Sequence, residues 1–429
     1  MIVKNSLIIG IFSVLSILFG IVRDRLLAQY VGIGDALDIY NAAFRLPDLV
    51  LGVTLSFAAS ATVIPFISKA IRDNDKKDLE ERMSSLFIFF GLATVLLSVI
   101  VIILVPYLAN QLVPGFDLKK KIEFIHYTRI LMLQPVLLGL STLVSTLAQA
   151  KHQFYLYGTA PLLYTLGIIF GTIFWYEKYG VGGLVAGVLV GAAIHLSLQS
   201  YTLYKHKVRI RPSNFRWSLI REQFHISVPR SGSFMISQVR ILFFASFATT
   251  FGVGALSIYL FAQRVFEAVI QILPQSISTA SLPTLSLHAN SGDKGSYKKA
   301  FKKQGGFIIV GATISAVLIA SFSRYVVIIL YGQTGYTEQI ASFVRVLCLS
   351  LPLATLNLYI TVAFSALRDT KTLFFANLTA TPIAVISAFV FSWNGYGLQS
   401  IAYSTFVLSL SYTIIIGYMY FKKQHILFK

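Results

Sequence analysis

The side chains of this sequence that could do chemistry are a few charged groups set inside otherwise apolar stretches. In the first half these are Arg23, Asp24, Arg25, Asp38, Arg45 and Asp48; in the second they are Arg230, Arg240, Arg264 and Glu267. Arg129, His195, Arg324 and Arg345 fall in or near other apolar runs. A guanidinium does not shed its charge, and its planar fork matches phosphate or carboxylate through paired hydrogen bonds. Arginine in excess of acid at such positions points to an anionic substrate that is gripped. Plainer roles compete at several positions. Asp24 and Arg25 suit pairing or snorkelling near a helix end, and Arg45 with Asp48 and Arg264 with Glu267 have the i, i+3 spacing of a same-face ion pair. Arg230, after Pro229, suits a cytoplasmic anchor, and His195 a hydrogen-bonded core residue.

Bond-making signatures are missing from the sequence. It has no phosphate-cradling Gly-rich loop followed by Lys-Ser/Thr, no His-Glu-x-x-His stretch and no Gly-x-Ser-x-Gly elbow. The chain reads as a non-enzyme with no catalytic residue, no cofactor and no metal site. Its work is expected to draw on a gradient or on a partner.

Positioning the charged groups falls to membrane-spanning helices. Of 429 residues, 56% are hydrophobic and 12% charged, whereas soluble domains carry about 25% charged residues to cover a wet surface. The mean hydropathy is +0.73. Unbroken apolar runs such as residues 86–108 lack the polar–apolar alternation of a transmembrane barrel. Dividing the runs at charge clusters and Gly/Pro turns, at about 20 residues per crossing, predicts twelve spans. They cover 6–28, 36–68, 84–109, 124–149, 158–176 and 182–204, then 222–250, 255–287, 305–331, 339–366, 373–392 and 397–421. The first is read as a retained helix rather than a cleaved signal. Cys348, alone and inside an apolar run, excludes a disulfide framework and reads as a buried thiol. A net charge of +19 would suggest nucleic acid for a soluble protein; here it suggests cytoplasmic loops against anionic membrane lipids, and no nucleic-acid partner is expected.

Lysine and arginine alternate between loops. One set of loops carries the clusters at 69–82, 205–221, 294–303 and 422–429, with Lys4, Lys151, Arg368 and Lys371. The other carries Lys119, Lys120, Lys121 and Lys178, plus Arg23 and Arg25 if the end of the first span is counted. The positive-inside rule then places both termini in the cytoplasm.

The chain also repeats itself. In "GIGDALDIYNAAFR" and "GVGALSIYLFAQR", Gly32 matches Gly252, Gly34 matches Gly254, and, after a one-residue gap, Leu37, Ile39, Tyr40, Ala43 and Arg45 match Leu256, Ile258, Tyr259, Ala262 and Arg264. Each match leads into an apolar helix closing on Ser/Ala and Pro. A repeat of six helices returns to the same side of the membrane, so the halves should be parallel and related by an axis along the membrane normal. The expected architecture is an all-α membrane protein of about twelve helices, in two parallel six-helix lobes around a central cavity. Residues 1–206 would form the first lobe, 207–221 a cytoplasmic linker and 222–429 the second lobe. Arg23, Arg45, Arg240 and Arg264 would make the cavity cationic.

The stretches 16–49 and 257–286 resemble the amino-terminal signature and the eighth helix of the MurJ/MviN lipid II flippases. The resemblance implies the multidrug/oligosaccharidyl-lipid/polysaccharide exporter fold, in the bacterial inner membrane. It also implies alternating-access transfer of undecaprenyl-pyrophosphate-linked peptidoglycan precursor to the outer leaflet, in cell-wall biogenesis. The family arginine and its acidic neighbour fall on Arg23 and Asp24, the acid of the second helix on Asp38, and the eighth-helix serine, arginine and glutamate on Ser257, Arg264 and Glu267. Two departures stand out. Ile17 occupies a usual arginine position, and Leu51 and Gly52 replace a basic pair, with Ser56 and Phe57 further on. Arg240 is not at an expected family position and could restore the missing charge. Many members carry two further carboxy-terminal helices, whereas this sequence supports twelve spans. No acid follows Glu222 within the seventh span, so a coupling cation stays open. The rival readings are a flippase for another polyprenyl-pyrophosphate glycan, of O-antigen or capsule type, and a cation-coupled drug antiporter. An arginine-rich cavity disfavours the antiporter.

The loop charges make a direct prediction. Single cysteines at Ser291 and Gly395, in a Cys348→Ala background, should label from the cytoplasmic and the outer side respectively; labelling of both from one side contradicts the topology.

Overall fold

Hydrocarbon offers no hydrogen bonds to backbone amides, so long apolar runs must satisfy their own N–H and C=O groups as helices. The computed structural model describes the backbone of residues 2–57, 60–272, 274–367 and 369–423, and no strand occurs among them. The side chain of Arg230 lies outside the described residues. Among the described residues, eight helices are long and apolar enough to cross a membrane: Lys76–Leu112, Leu118–Ala150, Phe154–Tyr179, Val181–Lys205, Phe234–Phe251, Lys294–Ser321, Lys371–Trp393 and Gln399–Met419. Thr337–Cys348 and Leu351–Ala366, bent by 53° at their junction, make a ninth if counted as one broken span.

Several of the expected twelve spans hold more than one helix among the described residues. Residues 36–68 fold as Asp35–Ala43, Arg45–Phe57 and a helix from Ser60 to Arg72, and residues 255–287 fall in Ala255–Ile272 and Pro274–Asn290. These are also the segments that carry Asp38, Arg45, Asp48, Arg264 and Glu267, all in helices of 18 residues or fewer. The first expected span corresponds to the helix Ile2–Leu26.

The chain separates into two compact units, residues 1–234 with 330–332, and residues 235–329 with 333–429. In the first unit, the 37-residue helix Lys76–Leu112 is roughly 55 Å long at about 1.5 Å per residue and outruns a hydrocarbon core of about 30 Å. Its charged beginning lies beyond the apolar stretch. There Arg216 pairs with Glu81 at 2.8 Å, the Arg216 and Arg211 amides donate to Ser85 and Ser84, and the Arg209 amide donates to Glu80. The segment after Lys205 is thereby pinned to that helix, with Val208 and Ile220 buried against Ile67, Leu86 and Leu147.

Phe154–Phe170 and Val181–Lys205 approach through glycine. A Cβ on Gly187 would lie 2.6 Å from the Gly167 carbonyl oxygen and 2.8 Å from the Gly171 Cα. Small residues let helix backbones close to this distance, and dispersion is then gained along the whole contact.

In the second unit, Tyr297, Phe301 and Tyr359 stack in a core with Leu285 and Ile308. Asp293 caps the helix Lys294–Ser321 by accepting from the Ser296 amide at 2.9 Å, which holds its carboxyl below the usual carboxylate range. On both units the exposed large side chains of the long helices are apolar, among them Leu92, Leu96 and Ile103 in the first, and Ile383, Ile386 and Val390 in the second. Such faces suit lipid and not water.

The glycine contact gives a stability test. Gly187→Leu should lower the melting temperature of the purified protein, with a cost of about 1–3 kcal/mol for overpacking; an unchanged melting temperature contradicts the close approach.

Candidate functional site

The repeat seen in the sequence is matched by local geometry. Each unit has a short non-α turn, a glycine, and then the start of a polar helix. In the first, the π-turn Leu27–Val31 ends at Gly32; in the second, the 3-10 turn Thr249–Phe251 ends at Gly252. Gly32 and Gly252 adopt φ of 78° and 103°, where a Cβ is penalised. The Gly34 carbonyl then accepts from the Asp38 amide and the Gly254 carbonyl from the Ile258 amide, both at 2.9 Å.

In the first unit, Arg23 stands near the end of Ile2–Leu26. Its Nε donates to Asp24 Oδ1 at 2.9 Å, and its Nη2 lies 2.8 Å from the same oxygen. Tyr40 and Tyr164 are its other electrostatic neighbours. Tyr164 Oη accepts from Gln134 Nε2 at 3.3 Å and interacts electrostatically with Asp48. Asp24 and Asp38 are buried, Arg45 is half-buried and Asp48 is exposed. Arg23 and Asp24 therefore meet as a pair beside a tyrosine of the repeat.

In the second unit, Arg240 lines a cavity of about 400 Å³ with Tyr259, Gln263, Asn357, Asn377 and Tyr412. Ser257 is fully buried at the start of Ala255–Ile272. Further along that helix Arg264 is half-buried, its guanidinium carbon 5.8 Å from the Phe261 ring centroid, within the reach of a cation–π contact. Gln263 Nε2 donates to Glu267 Oε1 at 3.1 Å, linking the cavity wall to that exposed carboxylate.

The profile described as "Lipid II flippase MurJ" matches residues 27–429. The chain belongs to the lipid II flippase MurJ family. A relative of Buchnera aphidicola subsp. Acyrthosiphon pisum, named a probable lipid II flippase MurJ, is 23% identical over 346 residues, covering 78% of this chain and 66% of the relative. The chain thus spans just under two thirds of that relative's length. Among solved structures, a lipid II flippase MurJ in an inward closed conformation matches with a TM-score of 0.80 at 20% identity, over 97% of this chain and 87% of that one. An inward-facing multidrug resistance MATE family transporter of the MOP superfamily matches with a TM-score of 0.79 at 15% identity, over 96% and 95%. Both structural likenesses establish the fold: an all-helical membrane protein of the MurJ/MATE type. The family is one of transporters, not catalysts.

Asp48 and Glu267, which the sequence sets three residues after the matched pair Arg45 and Arg264, are both exposed. Sequence reasoning passed over the neutral polar groups near the arginines. His195 is buried, with its Nδ1 2.6 Å from Ser141 Oγ, as a core histidine should be. Gln134, Tyr164, Asn357, Asn377 and Tyr412 had no sequence signal, because neutral polar residues in apolar helices are common.

Proposed function

We propose that the chain is a flippase that carries lipid II, the undecaprenyl-pyrophosphate-linked peptidoglycan precursor, across the bacterial cytoplasmic membrane, with both termini in the cytoplasm. Membership of the MurJ family carries this reading, and the half-buried guanidiniums support it on physical grounds. A diphosphate cannot cross about 30 Å of hydrocarbon unaided, so its carrier must offer fixed positive charge away from lipid while the polyprenyl tail stays in the bilayer.

In this reading Arg23, Arg45, Arg240 and Arg264 meet the diphosphate. Ser257 adds a hydroxyl donor. Asp24, Asp38 and Glu267 orient the cations and offset their mutual repulsion. The Arg23–Asp24 contact already has that form, because the acid holds the guanidinium and also competes with the substrate for it. Competition of this kind limits how tightly the diphosphate is held, which a carrier needs in order to release it. The partners are then the lipid-linked oligosaccharide and the surrounding membrane lipids. A coupling cation is one possible energy source, and the membrane potential another.

Complementation tests the reading. Expressed in cells depleted of their own lipid II flippase, the chain should restore growth and expose precursor on the outer leaflet. Arg264→Ala should abolish rescue without loss of membrane insertion, and Arg264→Lys should recover it only in part, since a point charge does not replace a bidentate fork. Good expression without rescue, together with activity toward an O-antigen or capsule lipid, assigns the chain to another polyprenyl-pyrophosphate glycan.

A further inference from the structure

The two units repeat an arginine–tyrosine arrangement but balance its charge differently. In the first, Arg23 neighbours Tyr40 and is neutralised by Asp24 at 2.8 Å. In the second, Arg240 neighbours Tyr259, which the repeat aligns with Tyr40, and also Tyr412. No carboxylate forms an ion pair with Arg240 among the described residues, and none lines its cavity. A fixed charge in the apolar span Phe234–Phe251 therefore lines a partly open cavity without a counter-charge of the kind that Arg23 has in Asp24.

The rest of the wall is rich in donors with hydrogens to spare. Among the described residues, each of three amide groups spends one N–H on the protein: Gln263 on Glu267, Asn357 on the Ser409 carbonyl at 2.9 Å, and Asn377 on Ser237 at 3.4 Å. An amide nitrogen carries two hydrogens, so each keeps one. A single permanent cation among neutral amides and hydroxyls, with no carboxylate in the lining, favours an anion over a metal cation. The cavity of about 400 Å³ is far larger than a halide needs, and it accommodates a tetrahedral oxyanion that can use several donors at once.

We propose that the cavity inside the second unit is a binding site for a phosphate-class oxyanion, held by the Arg240 guanidinium and by the spare amide hydrogens of Gln263, Asn357 and Asn377. The site belongs to one unit, so it needs no residue of the other to form. The proposal deepens the flippase reading and rests on it only for the natural source of the oxyanion, the diphosphate of a polyprenyl lipid rather than free phosphate.

The test is calorimetric titration of the full chain in lipid nanodiscs, with inorganic diphosphate in one arm and a short-chain polyprenyl diphosphate in the other, in an Arg23→Gln/Arg264→Gln background. Binding should persist in that background and weaken at least about tenfold on adding Arg240→Gln. Asn357→Asp, which places an acid beside Arg240, should weaken it likewise while leaving the fold intact by melting temperature. Saturation in the inorganic arm supports the site for free and lipid-borne phosphate alike, and saturation only in the lipid arm identifies the headgroup as the ligand. Absence of binding in both arms, binding indifferent to Arg240→Gln and Asn357→Asp, or displacement by equimolar chloride overturns the proposal. Failed complementation with Arg240-dependent binding intact removes the flippase reading alone.

Discussion

A guanidinium inside hydrocarbon cannot neutralise itself by losing a proton, and that constraint organises the polar part of this protein. A buried lysine or carboxylate can shift its pKa and become neutral, but arginine must be given an acid, a set of hydrogen-bond acceptors, an aromatic face or a polar ligand. Two of these are seen directly: Arg23 takes Asp24 and Arg264 lies near the Phe261 ring, while Arg240 lines a cavity with amides and hydroxyls. Arg23 and Arg240 stand on the long helices Ile2–Leu26 and Trp217–Ala248, and Arg264 on the shorter Ala255–Ile272.

The division of labour follows from composition. Long helices such as Lys76–Leu112 and Lys294–Ser321 show apolar side chains outward and need only length. The helices Asp35–Ala43, Arg45–Phe57 and Ala255–Ile272 carry Asp38, Arg45, Arg264 and Glu267 and need position, and the glycine turns at Gly32 and Gly252 precede the first and last of them. A substitution at either glycine would be felt through the φ it requires, and so through the direction of the helix that follows.

The fold class was legible in the sequence because hydrocarbon imposes length and apolarity on every crossing, and the repeat was legible because its glycines and arginines recur in register. The count of spans was less so. A run such as 36–68 is apolar enough to read as one crossing, yet it contains a break at Phe44, marked only by Pro47 in the first turn of the next helix. Arg23, Arg240 and Arg264 could be picked out because charge in an apolar run is rare. Their neutral partners could not: Asn357, Asn377 and Tyr412 come together only through the packing of three separate helices. Asp48 and Glu267 were legible too, as the acids three residues beyond the aligned arginines.

The central claim is that fixed guanidiniums recognise a diphosphate headgroup, and native mass spectrometry of the purified chain with paired lipids tests it most directly. Undecaprenyl diphosphate should bind at least about tenfold more tightly than undecaprenol, the contribution expected of a charge-assisted hydrogen bond, and the advantage should vanish in Arg23→Gln/Arg240→Gln/Arg264→Gln. Equal retention of the two lipids by the unaltered chain would contradict the account.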